Sequence, residues 1–487
     1  MSSEAHNTAG PGGHGEMPHA HGDAHDGIVG GEGTNPTLAK VKGFALVVGV
    51  IGLVLAVVSI FINGLDRFLL SYLIGYLFAL GLPLGCMSLL LIQHVSGGKW
   101  GFVIRRFVEA GTRLFPIFLI LFIPIAYGLF SGSLYNWAGH GHHAEVSLKP
   151  IPQQYFASSE PTAALEAAQH EARHEVNVEH GEKLDHAGAS GTESAHMTAL
   201  RKLWLTKENF IIRAVVYFLL WMLAAFLLNK WSSDEDRAGG PVLNRAYGMF
   251  SAPFMIIHGL AITFAVVDWV MTLDAHWTST MYGLIYIAGQ LLMTVSFLVL
   301  ILYTFRNVQP VARFLDADLF HDLGKLMFAF TMFFAYVSFS QFLIIWSSNI
   351  SEYTPYYLYR EEGIWLPIGI FLIAAHFFIP FLILLVREVK RRPARLAKLA
   401  AFIIAMRVLE LYFAIVPHYA SGNFHPKSQD DLSHVLEGFT KLTLADIAMP
   451  IGLGGVTLFL FLWQLKRRPI LAVNDYRVPG LLSAGHH

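Results

Sequence analysis

The chain has 487 residues, of which 54% are hydrophobic and 14% are charged, and its formal net charge is −1. Soluble domains carry roughly 25% charged residues and about 45–50% apolar ones. This composition, with a mean hydropathy of +0.49, excludes a string of soluble domains, a disordered chain and a disulfide-rich secreted protein. The near-neutral balance also lacks the basic footprint of a nucleic-acid-binding protein. The single cysteine, Cys86, cannot form an internal disulfide, a thiolate zinc site or an iron–sulfur cluster. These properties indicate an integral membrane protein.

Ten segments of the chain are long enough and apolar enough to cross the hydrocarbon core as helices, which takes about 20 residues. None of them shows the period-two alternation of a barrel strand. The sequence therefore predicts an all-α integral membrane protein with ten transmembrane helices. The segments are approximately 43–62, 69–92, 114–134, 210–228, 250–273, 282–303, 326–347, 365–386, 397–417 and 446–464.

Polar stretches divide the chain into five parts. These are a Gly/His-rich tail (1–40), helices one to three (41–134), a His/Glu-rich loop (135–209), helices four to ten (210–468) and a second tail (469–487). The composition of the first tail predicts disorder. Because this tail has no apolar core, we expect no cleaved signal peptide.

The basic residues near the predicted helix ends lie mainly on one face. On the side that carries both termini there are 22 of them, whereas the short loops opposite contain only Arg67, Arg360, Lys427 and Lys441. In membrane proteins the cytoplasmic loops carry the excess of Lys and Arg. We therefore expect cytoplasmic N- and C-termini and an outer, periplasmic position for the loop 135–209.

The outer loop contains a literal H-E-x-x-H motif, His170-Glu171-Ala172-Arg173-His174, within a segment (161–183) whose composition favours a surface helix. This spacing places two imidazoles on one helical face, as in zinc metalloproteases. A catalytic site also needs a third ligand in a dry cavity, which a loop helix does not offer. A chance match in a segment rich in His and Glu, with adventitious metal affinity, is therefore the stronger interpretation.

Ionisable residues at membrane depth are costly, so each is a candidate for function. Most of them lie in the predicted outer half, which suits a proton half-channel or a quinol site from which protons leave outward. A purely structural role remains open for each residue. Arg407 and Glu410, three residues apart on one helical face, could equally form a structural ion pair. The candidates for a proton pathway are His258, Asp268, Asp274, His276, His376, Arg407, Glu410, His418 and Asp446, with Gln290 and Gln341 as polar neighbours.

Two other classes of protein are weakly supported by the same residues. His258 and His376 could ligate a b-type haem, although neither helix repeats the His spacing of a di-haem cytochrome b. A stand-alone secondary transporter usually shows inverted repeats and interrupted helices, and no repeat is detectable in the sequence. No Gly-rich phosphate loop follows a strand, so nucleotide-driven transport has no support.

One region of the chain resembles a known family. Phe250-Ser251-Ala252-Pro253 is followed by the run from Asp268 to Gly283, which reads DWVMTLDAHWTSTMYG. Together with the stretch 213–221 and Gly289-Gln290, this run closely resembles the ActF family, the quinone-binding subunit 2 of bacterial alternative complex III. The match is most specific over 204–305, and the ten-helix layout carries it over 42–468. Phe254 departs from the pattern, since the family often has glycine after this proline.

The resemblance implies a fold of two NrfD-like four-helix bundles plus two further helices in the bacterial inner membrane. It implies a subunit of a quinol:cytochrome c oxidoreductase, or of a complex coupled directly to an oxidase, with no metal, haem or cluster and no catalytic residue in this chain. Haem and Fe–S clusters would belong to partners. The implied partners are an NrfD-like sister membrane subunit, a periplasmic Fe–S subunit, multihaem and monohaem cytochrome c subunits, and membrane lipid, with no nucleic acid.

Within this family the resemblance favours a role in proton translocation, and the motif carries over Asp268, Asp274 and His276 to it. The alternative is a quinol-binding redox subunit, in which Asp268 or His276, beside Trp277, accepts a proton of quinol or menaquinol as a general base. A secondary transporter is the further alternative.

Overall fold

The computed structural model describes residues 36–139, 203–238, 244–275, 277–308, 311–350, 353–424 and 442–472. Every regular element in these ranges is helical. Ten helices in them are long enough and apolar enough to cross a membrane. The predicted all-α fold with ten candidate membrane spans is therefore confirmed. The first tail, the H-E-x-x-H motif with its predicted surface helix, and His276 lie outside the described residues.

The helices are named in chain order. The α-helices are α1 (Pro36–Asn63), α2 (Leu65–Ser96), α3 (Lys99–Thr112), α4 (Phe115–Ile120), α5 (Ile123–Ser131), α6 (Lys207–Ala238), α7 (Asn244–Trp269), α8 (Tyr282–Thr304), α9 (Ala317–Ser348), α10 (Pro355–Glu361), α11 (Trp365–Leu372), α12 (Ile379–Leu385), α13 (Arg387–Arg391), α14 (Pro393–Phe424) and α15 (Leu444–Leu465). A π-helical segment, Ile373–Phe378, joins α11 to α12.

Several helices are longer than their predicted apolar segments. Helices α2 and α6 each have 32 residues, a length of about 48 Å against a hydrocarbon core of about 30 Å. The third span is broken into α3, α4 and α5, and Pro116 and Pro124 stand in the first turns of α4 and α5, where the missing N–H of proline interrupts the helix. The excess length of α3, α6 and α7 lies mainly on the predicted inner side, whereas α2 extends four residues beyond its predicted segment at each end.

Helix α2 is the centre of the fold. It packs against α1, α3, α7, α8, α14 and α15, and 94% of its most apolar window is buried. Glycines allow this crowding, because a Cβ on Gly85 would lie 2.0 Å from the Thr294 hydroxyl of α8, and one on Gly75 would lie 2.7 Å from Met449 of α15. Small residues of this kind let membrane helices approach closely.

Eight of the ten candidate spans form two groups of four. Helix α2 belongs to the first group and also contacts α8 and α14 of the second. In the first helix group, α2, α3–α5, α6 and α7 pack in a ring, each against the next. In the second helix group, α8, α9, α11–α12 and α14 form another ring. Helices α7 and α8 join the groups, while α1 and α15 pack on each other and on α2.

The α1–α15 pair is held by backbone contact between glycines. A Cβ on Gly52 would lie 2.7 Å from the backbone nitrogen of Gly452, and one on Gly455 would lie 2.7 Å from the Cα of Gly49. The opposite face of α1 is apolar and exposed, as at Phe44, which is 71% exposed. We infer that lipid covers that face.

We expect Gly452→Val to lower the free energy of unfolding by about 1–3 kcal/mol, because the new side chain overpacks a contact made by backbone atoms. The matched control is Gly43→Val, since a Cβ at Gly43 meets no atom within 4 Å. Thermal unfolding of the detergent-solubilised chain measures both. Equal melting temperatures for the two variants would contradict the backbone contact.

Candidate functional site

One face of α14 carries a row of polar residues. Arg407, Glu410 and His418 follow one another along this face, over about 16 Å between the first and last Cα atoms. They face Tyr282 and Tyr286 of α8, as the contacts below establish. The row therefore runs inside the second helix group from the middle of the span to its predicted outer end.

Arg407 and Glu410 form an ion pair that is 2% and 9% exposed. A guanidinium N–H of Arg407 also donates to the Tyr286 carbonyl at 3.4 Å, and the group lies 5.1 Å from the Tyr286 ring centroid. The space for it exists because residue 289 is glycine: a Cβ there would lie 2.0 Å from Arg407 Nη1. The two residues that helical spacing placed on one face thus form an ion pair, and Arg407 packs against the backbone of α8.

His376 lies on the π-helical segment beside this pair. The side chain is buried, its ring centroid is 4.8 Å from that of Phe334, and Arg407 is close enough to act on it electrostatically. Pro380, four residues after His376, has no backbone N–H to donate to the His376 carbonyl. The backbone N–H of Ile379 donates to the carbonyl of Ala374, five residues earlier, which is the hydrogen bond of a π-helix. Both ring nitrogens lack a hydrogen-bond partner among the described residues. Buried polar atoms of this kind are normally satisfied by water.

The predicted outer end of the row is closed by aromatic side chains. The Trp277 ring stacks on Tyr356 at 4.4 Å and meets His418 edge-on at 5.2 Å. His418 Nε2 lies 2.9 Å from the Met271 carbonyl, and Asp274 interacts electrostatically with His418. Asp274 and His418 are therefore close enough to interact at this end of the row, which their similar predicted depth did not establish.

Arg360 of α10 belongs to the same cluster, although the sequence singled it out only as a loop cation. It is 3% exposed, donates to the carbonyls of Tyr356 (2.5 Å) and Ala414 (2.7 Å), and lies 3.5 Å from the Tyr356 ring centroid. Burial raises the pKa of Tyr356; Arg360 opposes this shift and Glu410 adds to it. Tyr356 therefore lies within electrostatic reach of both Arg360 and Glu410. We call His376, Arg407, Glu410, Tyr282, Tyr356 and His418 the polar column.

Asp268 lies elsewhere, at the predicted outer end of the first helix group. Arg213 donates to both of its carboxylate oxygens (2.8 and 2.9 Å), Tyr217 donates its hydroxyl (2.8 Å), and the Trp204 indole donates as well (2.9 Å). Four donors saturate a fully buried carboxylate. Burial raises the pKa of the neighbouring Tyr135, and the negative charge of Asp268 adds to this shift. This geometry ties α6 to α7.

Asp446 has a similar structural setting at the start of α15. It accepts hydrogen bonds from Arg67 (2.7 Å) and Ser71 (2.5 Å) of α2. It also accepts from the backbone N–H and hydroxyl of Thr443, both at 2.9 Å, which completes a capping box. Asp446 therefore caps α15 and fastens it to α2.

The remaining candidates are distributed over both groups. His258 Nε2 lies 2.9 Å from the Ser88 hydroxyl in the first group, and Phe254 packs on the His258 ring. His258 and His376 thus belong to different helix groups. The structure does not bring together the two histidines that a b-type haem would need as ligands. Gln341 accepts from Ser279 at 3.1 Å; the buried Gln290 amide has no partner among the described residues.

A second polar network escaped the sequence analysis. It lies at the predicted inner end of the first helix group, where Glu109 accepts from Arg105 (3.1 Å), Arg106 (2.8 Å) and Ser232 (2.6 Å). Glu235 and Asp236 of α6 pair with the same two arginines. The four-residue spacing of Arg105 and Glu109 is typical of an ion pair on one helical face. Neither residue was a candidate, because both fall outside the predicted apolar segments.

No protein-family model matches the chain, and no curated protein matches it. Among the residues that the structure describes, no group of three His, Cys, Asp or Glu side chains could hold a metal ion.

Replacing Asp268 by Asn should lower the free energy of unfolding by about 3–5 kcal/mol, because Arg213 then loses its counter-charge in a buried site. Asp322→Asn is the control, since Asp322 forms an exposed pair with Lys325 and should change stability by at most about 1 kcal/mol. Denaturation of the purified chain in detergent measures both, and equal losses would show that the Asp268 cluster does not hold α6 to α7.

We expect Gly289→Ala to displace the Arg407 guanidinium and to cost about 1–3 kcal/mol of stability. Gly259→Ala on α7 is the matched control, because a Cβ there meets nothing within 4 Å. The same unfolding measurement compares them. If Gly289→Ala is as stable as Gly259→Ala, Arg407 is not seated against α8.

Proposed function

We propose that this chain is a membrane subunit of a quinol:electron-acceptor oxidoreductase, of the ActF type of alternative complex III, and that its polar column conducts protons between the middle of the membrane and the outer face. The family part of the proposal rests on the sequence run 268–283 and the ten-span layout. The proton-conducting part rests on the column itself.

One observation carries the proton role: Glu410 and Arg407 pair within a single helix, next to a buried histidine with no hydrogen-bond partner in the described residues. Because both partners stand on α14, the pair can open without separating two helices. A proton taken up at Glu410 neutralises the carboxylate and releases Arg407, and His376 has two nitrogens that can exchange a proton with water. Such groups at membrane depth are typical of proton relays.

The part of the polar column between Glu410 and the predicted outer end offers a route by which protons can leave. Tyr282 and Tyr356 interact electrostatically with Glu410, and their rings lie 6.2 and 6.1 Å from that of His418. His418 in turn interacts with Asp274. A proton that leaves Glu410 can pass by hydroxyl groups and water to His418 and Asp274 at the predicted outer end.

The two helix groups and the α1–α15 pair are consistent with the NrfD-like layout, and we propose that they are its two four-helix bundles and two further helices. We likewise propose the bacterial inner membrane, cytoplasmic termini and partners that carry haem and Fe–S clusters. This chain would bind no cofactor of its own.

The quinol-oxidising alternative would use Asp268 or His276 as the base, beside Trp277, and of these two bases only Asp268 lies within the described residues. Asp268 already accepts four hydrogen bonds, two of them from Arg213, and Trp277 is stacked on Tyr356 and donates to the Tyr353 carbonyl. These contacts leave Asp268 poorly placed to accept a substrate proton. They support the proton-conducting role over a quinol-oxidising role in which Asp268 is the base.

We expect Glu410→Gln, in a complex that still assembles, to abolish proton translocation while quinol oxidation continues, because glutamine cannot take up the proton. The complex is reconstituted in liposomes, and protons released and electrons transferred are measured per quinol. Glu388→Gln, at an exposed ion pair with Arg392, is the control.

An unchanged proton stoichiometry in Glu410→Gln would sink the proton-conducting role. Membership in the complex is tested separately by native purification with a haem spectrum and a list of subunits. Purification without haem-bearing partners would contradict that membership.

A further inference from the structure

The inner polar network of the first helix group has more positive than negative charge. Its carboxylates are Glu109, Glu235 and Asp236. Arg105 and Arg106 are paired with these groups at 2.6–3.1 Å, apart from the closer Arg106–Asp236 contact. Two further arginines, Arg113 and Arg468, reach the same network and find no carboxylate of their own among the described residues.

Arg113 and Arg468 meet at one residue, Asn229 of α6. Arg113 Nε donates to the Asn229 side-chain oxygen at 2.7 Å, and Arg468 Nη1 donates to the Asn229 carbonyl at 2.9 Å. The carboxylate nearest to Arg113 is Glu109, at 3.9 Å, and Glu109 is already engaged by two arginines and Ser232. Both guanidinium groups are thus held at Asn229 by neutral groups, one by the side-chain amide and the other by the backbone carbonyl.

Like charges surround this pair. Arg113 interacts electrostatically with Arg468, Arg106 and Arg467. Burial lowers the pKa of Arg468, and Arg106 and Arg237 lower it further, against the opposing effect of Glu109 and Asp236. An anion at this place would relieve the mutual repulsion. We call Arg113, Arg467 and Arg468 the arginine clip.

The clip lies where three spans meet the predicted inner membrane surface. The apolar part of the third span begins just after Arg113, that of α6 ends just before Asn229, and α15 ends at Leu465, three residues before Arg468. Arg467 lies 3.6 Å from the ring centroid of Trp463, and tryptophan is enriched at this depth of a membrane. Arg467 is exposed, and the Arg113 side chain is 16% exposed, so an anion from the membrane surface can reach them.

We propose that the arginine clip binds the phosphate of an anionic phospholipid of the inner leaflet. Guanidinium groups bind phosphate oxygens in pairs of parallel hydrogen bonds, and basic pockets between membrane helices on the cytoplasmic side bind anionic headgroups. The bound phosphate joins α3 and α6 of the first helix group to the end of α15. This assignment does not depend on the proposed proton role.

The test uses the full-length chain, with any subunits that co-purify, in nanodiscs of phosphatidylcholine with a minor fraction of phosphatidylglycerol. After purification in detergent, each lipid retained per chain is measured by mass spectrometry. We expect the wild type to enrich phosphatidylglycerol. Arg113→Gln combined with Arg468→Gln should reduce that enrichment by about 25-fold, since each of the two arginines at a membrane surface contributes a factor of about five.

Arg467→Gln with Arg468→Gln is the second variant, because both residues follow α15 and their replacement leaves the hydrogen bond from Arg113 to Asn229 in place; it should show a loss of the same order. The control is Arg392→Gln, an exposed inner-side arginine, which should retain wild-type enrichment. Equal retention of both lipids by the wild type, or unchanged enrichment in both double variants, would overturn the proposal. So would displacement of the lipid by inorganic phosphate alone at low millimolar concentration, which would assign the clip to a free anion.

Discussion

A carboxylate buried in a membrane protein needs a counter-charge, and in this chain arginine supplies it at each buried acidic residue that the structure describes. Asp268 is bound by Arg213, Asp446 by Arg67 and Glu410 by Arg407, while Glu109 and Glu235 are bound by Arg105. Leaving such a charge unpaired costs several kcal/mol. The positions of these arginines therefore decide which helices are fastened together, and much of the remaining architecture depends on them.

The pairs differ in what they connect. Arg213–Asp268 joins α6 to α7, and Arg67–Asp446 joins α2 to α15, so opening either would loosen the contact between two helices. Arg407–Glu410 joins only neighbouring turns of α14. The pair rests on the backbone of Gly289 rather than on an opposite charge from another helix. Opening it costs electrostatic energy but no helix packing, which is the property that a proton-carrying pair requires.

The two helix groups differ in how their buried polar side chains are hydrogen-bonded. In the first group the acidic residues are saturated: Asp268 has four donors, and Glu109 has Arg105, Arg106 and Ser232. In the second group His376 is buried on a π-helical segment with both nitrogens unsatisfied among the described residues. A saturated network holds helices together, whereas an unsatisfied one invites water. The first group also has buried polar atoms without a partner among the described residues, His258 Nδ1 among them, so the contrast between the groups lies in their acidic residues.

Hydrophobic segment length by itself determined the class of the protein and its ten spans, because a helix needs a fixed length of apolar residues to cross a membrane. Helical spacing also placed Arg407 and Glu410 on one face, and Asp446 at the start of the last span. Only the tertiary structure decided that Asp268 meets Arg213, 55 residues away, that Asp446 meets Arg67, 379 residues away, and that Asp274 reaches His418. Arg360 and the Glu109 network were missed for the same reason: the sequence periodicity shows which residues of one helix share a face, but not which other helix packs against that face.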